Sequence, residues 1–258
     1  AISWQAPAPS FVVLVGDGNY DPKNYRGDNK TSYIPPFLAM ADPFIGETAA
    51  DNRYVTFGGL QSIPDMILGR LSVNSPAEAS KMIAKIISYE QAPVEGDWTK
   101  QVLAVASAAD SGGDFAAYSA GLIADTLPEP YHVSEVYYGV THTDITEAVA
   151  ALKAGINDGK LIVNFIGHGF SKGWQAQNNP PNIFIQTTDV SGFTNEGKYP
   201  IFLAMTCSEG YFIDPATEAF GEVVTRAENK GAIASWSPTG LGVSGGHDYM
   251  DRGFFESV

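Results

Sequence analysis

Two apolar runs in this chain each stop at a residue able to do chemistry. The first reads Leu161-Ile162-Val163-Asn164-Phe165-Ile166-Gly167-His168-Gly169 and the second Pro200-Ile201-Phe202-Leu203-Ala204-Met205-Thr206-Cys207-Ser208-Glu209-Gly210. The reactive residues, His168 and Cys207, are 39 positions apart, and Cys207 is the only cysteine of the chain. If both runs are strands of one parallel sheet, both residues emerge at its carboxyl edge, where α/β sheets place their sites. A thiol and an imidazole so placed are a nucleophile and its base. A free thiol titrates at about 8.5 and needs a neighbouring base or positive field to act at neutral pH. Taken singly, such a histidine is usually structural and such a cysteine usually a small buried hydrophobe. Their shared position at two strand ends joins them. Gly167 and Gly169 let backbone approach a ligand closely, and Ser208-Glu209-Gly210 turn the chain directly after the thiol.

The elements that must position this pair alternate between strand-like and helix-like, the pattern of a mostly parallel sheet covered by helices. Strands are predicted at Phe11 to Gly16, Asp65 to Gly69, Gln101 to Ser107, Val133 to Tyr138, the two runs above, and Ala232 to Trp236. Ser75-Pro76-Ala77-Glu78 is a helix start, with Ser75 as cap, Pro76 in the first position and Glu78 closing a capping box. Met82, Ile83, Ile86 and Ile87 follow on one predicted face. Val94-Glu95-Gly96-Asp97 reads as a linker, which divides the chain into an N-terminal α/β unit, residues 1–95, and a second unit, residues 96–258. Helices are expected from Asp114 to Leu127, from a Thr143 cap to about Gly155, from Pro215 to Lys230 with Gly231 as its cap, and from near Asp248 onward. Phe170 to Tyr199 reads as a long irregular loop, a candidate functional segment by its length.

The totals exclude several classes. With 15 basic against 29 acidic residues, the formal charge of −14 argues against nucleic acid or anionic membrane as partners. No run approaches the 18 or so apolar residues of a membrane span. The 258 residues are 44% apolar, enough to bury a sizeable core. One cysteine forms no internal disulfide. His132, His142 and His247 show no ligand spacing among themselves, and no zinc or phosphate-loop motif is present. Asp17-Gly18-Asn19-Tyr20-Asp21, with Asp28 nearby, clusters the hard oxygens that calcium favours, but lacks the twelve-residue loop pattern and its terminal Glu. A plain turn is the competing reading.

These motifs resemble the gingipain-type cysteine peptidases of the C25 family, within the wider caspase-like clan. The pattern of apolar strand, His-Gly, then apolar strand, Cys is followed by Asn164 to Gly169 and Phe202 to Cys207, and Trp174 after the histidine also fits. Leu14 to Asp21, Ile63 to Leu71 followed by Tyr89-Glu90, and Ala234 to Pro238 are similar to further stretches of the family. The resemblance runs in order along nearly the whole chain. It implies a caspase-like α/β fold and a cysteine endopeptidase working by acyl transfer on a protein or peptide substrate, with no cofactor needed for the chemistry. It implies Cys207 as nucleophile, His168 as acid and base, and the N–H groups of Gly169 and Cys207 as oxyanion hole. It also implies an acidic residue orienting the histidine, for which Asp110 is the candidate although its spacing is offset by one. Asp114 matches the position that binds a basic P1 side chain, and Trp236 an aromatic over that pocket. The competing readings are a turn for Asp110, a helix cap for Asp114 and core packing for Trp236. The family adds structural calcium, for which Asp17 and Asp21 are the candidate ligands. It adds a secreted or surface location and further domains of a longer parent chain. Two alternatives stay open: a sortase-like transpeptidase of the same fold, and a catalytically silent binding module.

Overall fold

The computed structural model describes residues 8–58 and 63–257. The strands and helices, in chain order, are β1 (Phe11–Val15), β2 (Leu38–Asp42), β3 (Gly46–Ala49), β4 (Ile67–Leu71), α1 (Pro76–Gln91), β5 (Gln101–Ala106), α2 (Phe115–Thr126), β6 (His132–Tyr137), α3 (Ile145–Asp158), β7 (Ile162–Ile166), β8 (Gly169–Phe170), β9 (Gly173–Gln177), β10 (Asn182–Gln186), β11 (Ile201–Met205), α4 (Phe220–Arg226), β12 (Ala234–Trp236) and α5 (Ser244–Ser257). The expected α/β class is observed, with a parallel sheet flanked by helices. Five strands form that sheet in the order β12-β11-β7-β5-β6, and every neighbouring pair is parallel.

The sheet is buried on both faces, which is why β5, β7 and β11 read as near-continuous apolar runs. On one face Val163, Phe165 and Phe202 pack with Leu152 and Ile156 of α3, Trp174 of β9 and Phe220 of α4. Trp174 stacks on Phe165 at 4.6 Å between ring centroids. On the other face Ile162, Ile166 and Met205 pack with Leu122 of α2 and Phe255 of α5. The alternation along β7 therefore sends Asn164 toward α5, where it meets Asp251.

Residues before 95 add a parallel pair, β1-β4, and a hairpin, β2-β3. They adjoin the sheet-bearing part through a shared apolar cluster of Tyr20, Leu38 and Ala49 with Phe212 and Ile213. Helix α1 corrects the predicted face: Met82 and Lys85 are its buried residues, while Ile83 and Ile87 are exposed. Lys85 takes the inner position because its ammonium reaches the carbonyls of Thr225, Ala227 and Lys230.

Four other expectations change. Residues 170–199 are not irregular: they fold as β8, β9 and β10, an antiparallel sheet of three, followed by a 3-10 turn at Thr187–Gly192. The cap of α3 is Asp144, not Thr143, because the Asp144 carboxylate accepts from both Thr146 N and Glu147 N. The helix expected over 215–230 is only Phe220–Arg226, since Phe220 N is drawn to Ser171 O and Asp214 fixes Ala216 N in a turn. The last helix starts at Ser244, four residues earlier than near Asp248.

Candidate active site

β7 and β11 run side by side in register from Ile201 against Ile162 to Met205 against Ile166. His168 and Cys207 each follow by two residues, so both leave the sheet at the same edge and line one hollow. Its volume is about 200 Å³. A larger groove, about 620 Å³, lies between residues 187–191 and α4 but contains neither residue.

Three strand ends are laced together beneath the pair. Ser107 N donates to Ile166 O and Gly167 N to Met205 O. The buried Ser107 hydroxyl accepts from His168 N at 3.0 Å and donates to Gln175 O at 2.6 Å. Gly167 is required here, because a Cβ on it would lie 1.9 Å from Ser107 Oγ. Ser107 was not singled out by the sequence; nothing in the run of β5 distinguishes its last small residue from any other strand end.

Among the described residues the histidine ring has a polar and an aromatic partner. Its Nε2 lies 2.9 Å from Asp110 Oδ2, and Phe115 meets it edge to face at 5.2 Å. Asp110 is itself held by Gly112 N, 2.7 Å from Oδ1. A carboxylate only accepts, so Nε2 carries the proton and Nδ1 is the free basic nitrogen. Asp110 opens a tight turn in which it and Gly113 exchange backbone hydrogen bonds. Both partners stay partly exposed, with side chains 26% and 35% accessible, so the pair is open to substrate and its energy is screened by water.

After Cys207 the chain reverses through Ser208, a non-glycine residue at φ 55°. The turn is pinned by Ser208 N to Gly240 O and Gly210 N to Pro238 O. The thiol is partly exposed and unpaired, with Gly242 O 3.8 Å from its sulfur. Gly169 packs against the cysteine strand: a Cβ on it would lie 2.4 Å from Thr206 Oγ1. Below the turn Glu209 is fully buried, and burial pushes its carboxyl up to about 7, the Ser237 and Ser235 hydroxyls pulling the other way.

The remaining candidates lie elsewhere. Asp114 caps α2, accepting from Ala117 N at 3.1 Å, and Trp236 packs on Phe254 of α5 at 5.8 Å; neither lines the hollow. Asp17 is buried against Lys30 at 2.9 Å and its other oxygen accepts from Gly18 N. Asp21 spends its two oxygens on Tyr25 N and Arg26 N. These carboxylates are satisfied by the protein and do not fit a calcium site. Among the described residues no group of three or more His, Cys, Asp or Glu could hold a metal ion. His247, just ahead of the helix that the sequence predicts from near Asp248, lies in the first turn of α5 and lines the hollow. The earlier helix start is what moves it there, and a Ser244 start would have been the signal.

The model of peptidase family C25 matches residues 2–258. Lys-gingipain W83 of Porphyromonas gingivalis is 27% identical over 227 residues, which are 82% of this chain and 12% of that one. Gingipain R2 of the same organism is 27% identical over 241 residues, 90% of this chain and 27% of that one. The chain thus spans between an eighth and about a quarter of the length of these relatives. Among solved structures, the Arg-specific cysteine proteinase gingipain R superposes with a TM-score of 0.73 at 23% identity, over all of this chain and 56% of that one. The complex of the pro- and mature domains of Porphyromonas gingivalis RgpB gives 0.74 at 24% identity, over 99% of this chain and 56% of that one. At such identities the structural likeness speaks for the fold.

Proposed function

Because this chain belongs to peptidase family C25, we propose that it is a cysteine endopeptidase acting by acyl transfer through Cys207 and His168. The observation that carries the reading is the opening of the imidazole and the only thiol into one hollow, with Asp110 on the far nitrogen of the ring. Nδ1 of His168 takes the thiol proton and the Cys207 sulfur attacks the scissile carbonyl. The oxyanion forms against the N–H groups of Gly169 and Cys207, each such donor being worth about 10²–10³ in rate. His168 returns its proton to the leaving amine, and the acyl-enzyme is then hydrolysed by a water that His168 activates. Asp110 keeps the ring in the tautomer that leaves Nδ1 free.

The chemistry draws on no cofactor, and protein or peptide chains are the substrate. A location outside the cell, and further domains of a longer parent chain, accompany the family reading. A preference for basic P1 residues, which the resemblance implies through Asp114 and Trp236, has less support, since Asp114 is engaged as a helix cap and Trp236 by Phe254.

The test is cleavage of a fluorogenic peptide library by wild type and Cys207→Ala in parallel. Turnover by wild type, lost in the variant while its melting curve is unchanged, is expected. Turnover that survives the substitution would refute the assignment of the nucleophile.

A further inference from the structure

We propose that Asp42, in the β2-β3 hairpin of the first part of the chain, is a positioning residue for Cys207 and acts through the Gly240–Leu241 peptide group. Its effect on catalysis rests on the peptidase reading above; its hold on the cysteine turn does not. Asp42 is 7% exposed, and the backbone N–H it reaches is 199 residues away in the chain.

One oxygen of Asp42 does what an aspartate in a tight turn commonly does. Its Oδ1 accepts from Phe44 N at 2.7 Å and Ile45 N at 2.9 Å, which shapes the hairpin. The other oxygen leaves the hairpin: Oδ2 accepts from Leu241 N. A Cβ on Gly240 would lie 2.4 Å from that oxygen, so the close approach requires glycine there. Two threonines join the same two segments, Thr48 Oγ1 donating to Thr239 O and Thr239 Oγ1 to Ala49 O at 3.0 Å. Burial pulls the Asp42 pKa up, but the N–H groups of Ile45, Phe44 and Leu241 together hold it below the usual 3.8. The group is therefore a carboxylate at neutral pH, and its hydrogen bond to Leu241 is charge-assisted.

Leu241 N and Gly240 O belong to one trans peptide group, so its N–H and C=O point in opposite directions. The N–H meets Asp42, and the C=O accepts from Ser208 N at 2.8 Å. Ser208 N in turn belongs to the peptide group that carries the Cys207 carbonyl. Two hydrogen bonds thus lead from Asp42, through a single rigid plane, to the backbone of the nucleophile. The negative charge at one end polarises that plane and strengthens the bond at the other. Tilting the plane would loosen both bonds. Ser208 depends on this hold, because its φ of 55° is a left-handed conformation that a non-glycine residue keeps only where its surroundings fix it. The same segment runs on to Gly242, whose carbonyl lies 3.8 Å from the Cys207 sulfur and which lines the hollow with Val243.

The experiment measures kcat and KM on a fluorogenic peptide that the wild type cleaves, and the rate at which iodoacetamide alkylates the protein across neutral and alkaline pH. Cys207 is the only cysteine, so alkylation reports it alone. Asp42→Asn keeps an oxygen to turn the hairpin but sets an NH₂ against Leu241 N, donor against donor. It is expected to lower kcat by about ten- to a hundredfold with KM within about threefold, the scale of a reacting group displaced by about 1 Å. Its alkylation profile should move to higher pH, as for a thiol shifted from its base. Gly240→Ala, whose Cβ displaces the carboxylate, should do the same, and should cost little on an Asp42→Ala background. It reads the contact from the other side if Asp42→Asn does not fold. Thr48→Val cuts a hydrogen bond between the same segments but spares the 240–241 peptide. It should lower the melting temperature while kcat and alkylation stay within about twofold of wild type, since the lost bond is one of interface stability. Wild-type kcat and alkylation in folded Asp42→Asn overturn the proposal. Equal losses of kcat in Thr48→Val and Asp42→Asn also overturn it, because the whole interface would then set the site. If the wild type shows no Cys207-dependent turnover, the peptidase reading falls and the alkylation profiles decide alone: a shift in Asp42→Asn upholds the positioning of the thiol, and identical profiles overturn it.

Discussion

The side-chain nitrogen of Asn164 lies 2.7 and 2.8 Å from the two carboxyl oxygens of Asp251. This buried contact ties β7, the strand that leads to His168, to α5, the helix whose first turn carries His247. Asp251 is completely inaccessible, and burial pushes its carboxyl from 3.8 up to about 7, against the Asn164 hydrogen bond. The folded protein therefore keeps a proton that the unfolded chain gives up between about pH 4 and pH 7. Stability from this group is fully present below the unfolded value, falls across that window and is flat above it. Glu209, raised from 4.5 to about 7, acts in the same direction.

The melting temperature is accordingly expected to be higher at pH 5 than at pH 8. Asp251→Asn, which removes one of these titrations and keeps an amide partner for Asn164, should flatten the difference and raise stability at pH 8. Circular dichroism melts of both proteins at the two pH values check this. An unchanged slope in the variant would show that Asp251 is ionised in the fold.

Asp110 acts through His168, so its removal should affect the chemical step more than binding. Asp110→Ala is expected to lower kcat by about ten- to a hundredfold, less than the roughly 10²–10⁴-fold of an acid–base group itself because Asp110 acts through the ring, with KM changed little. Asp110→Glu should recover part of the loss. A rise in KM at constant kcat would instead make Asp110 a substrate contact.

Ser107 and Gly167 should behave as one unit. Ser107→Ala deletes the acceptor of His168 N and the donor to Gln175 O, costing about 1–3 kcal/mol if both groups stay buried and unpaired. Gly167→Ala should be worse than that, since its Cβ would meet Ser107 Oγ at 1.9 Å. Adding Ser107→Gly to Gly167→Ala should restore part of the stability and activity. Additive losses in the double variant would place the damage of Gly167→Ala elsewhere.

Lys85 joins the first part of the chain to the second. Its ammonium donates to Thr225 O at 2.5 Å, Ala227 O at 2.9 Å and Lys230 O at 3.2 Å, although burial lowers its pKa to about 8. Lys85→Met fills the same space and abandons three carbonyls. We expect a loss of about 2–4 kcal/mol in chemical denaturation, the scale of several hydrogen bonds to a charged group. A loss under about 0.5 kcal/mol would mean that water replaces the ammonium there.

A chelator separates the two readings of the turn around Asp17. Because Lys30 and backbone amides already satisfy Asp17 and Asp21, EDTA should leave the melting temperature within about 1 °C, far less than loss of a tightly bound ion would cause. A larger drop, reversed by calcium, would require ligands other than this pair.

The sequence by itself determined the frame of the site. Apolar runs of strand length, buried on both faces of a parallel sheet, carry enough signal to place Ile162–Ile166 and Ile201–Met205, and hence His168 and Cys207 at their ends. Local capping chemistry likewise made α1 legible, since Ser75 accepts from Glu78 N as its spacing requires. Contacts between distant segments were decided only by the tertiary structure. The turn at Asp110 swings its carboxylate onto a ring 58 residues away, and the earlier start of α5 turns His247 from a residue ahead of the predicted helix into a wall of the hollow. Residues 170–199 folded as a small sheet because Trp174 and Phe184 are buried in the core behind β7, a cooperative gain that no single stretch of their largely polar sequence announces. The reason is general: periodicity and caps are set within a turn or two of chain, whereas the partner of a carboxylate or the lining of a cleft depends on which segments the packed sheet brings together.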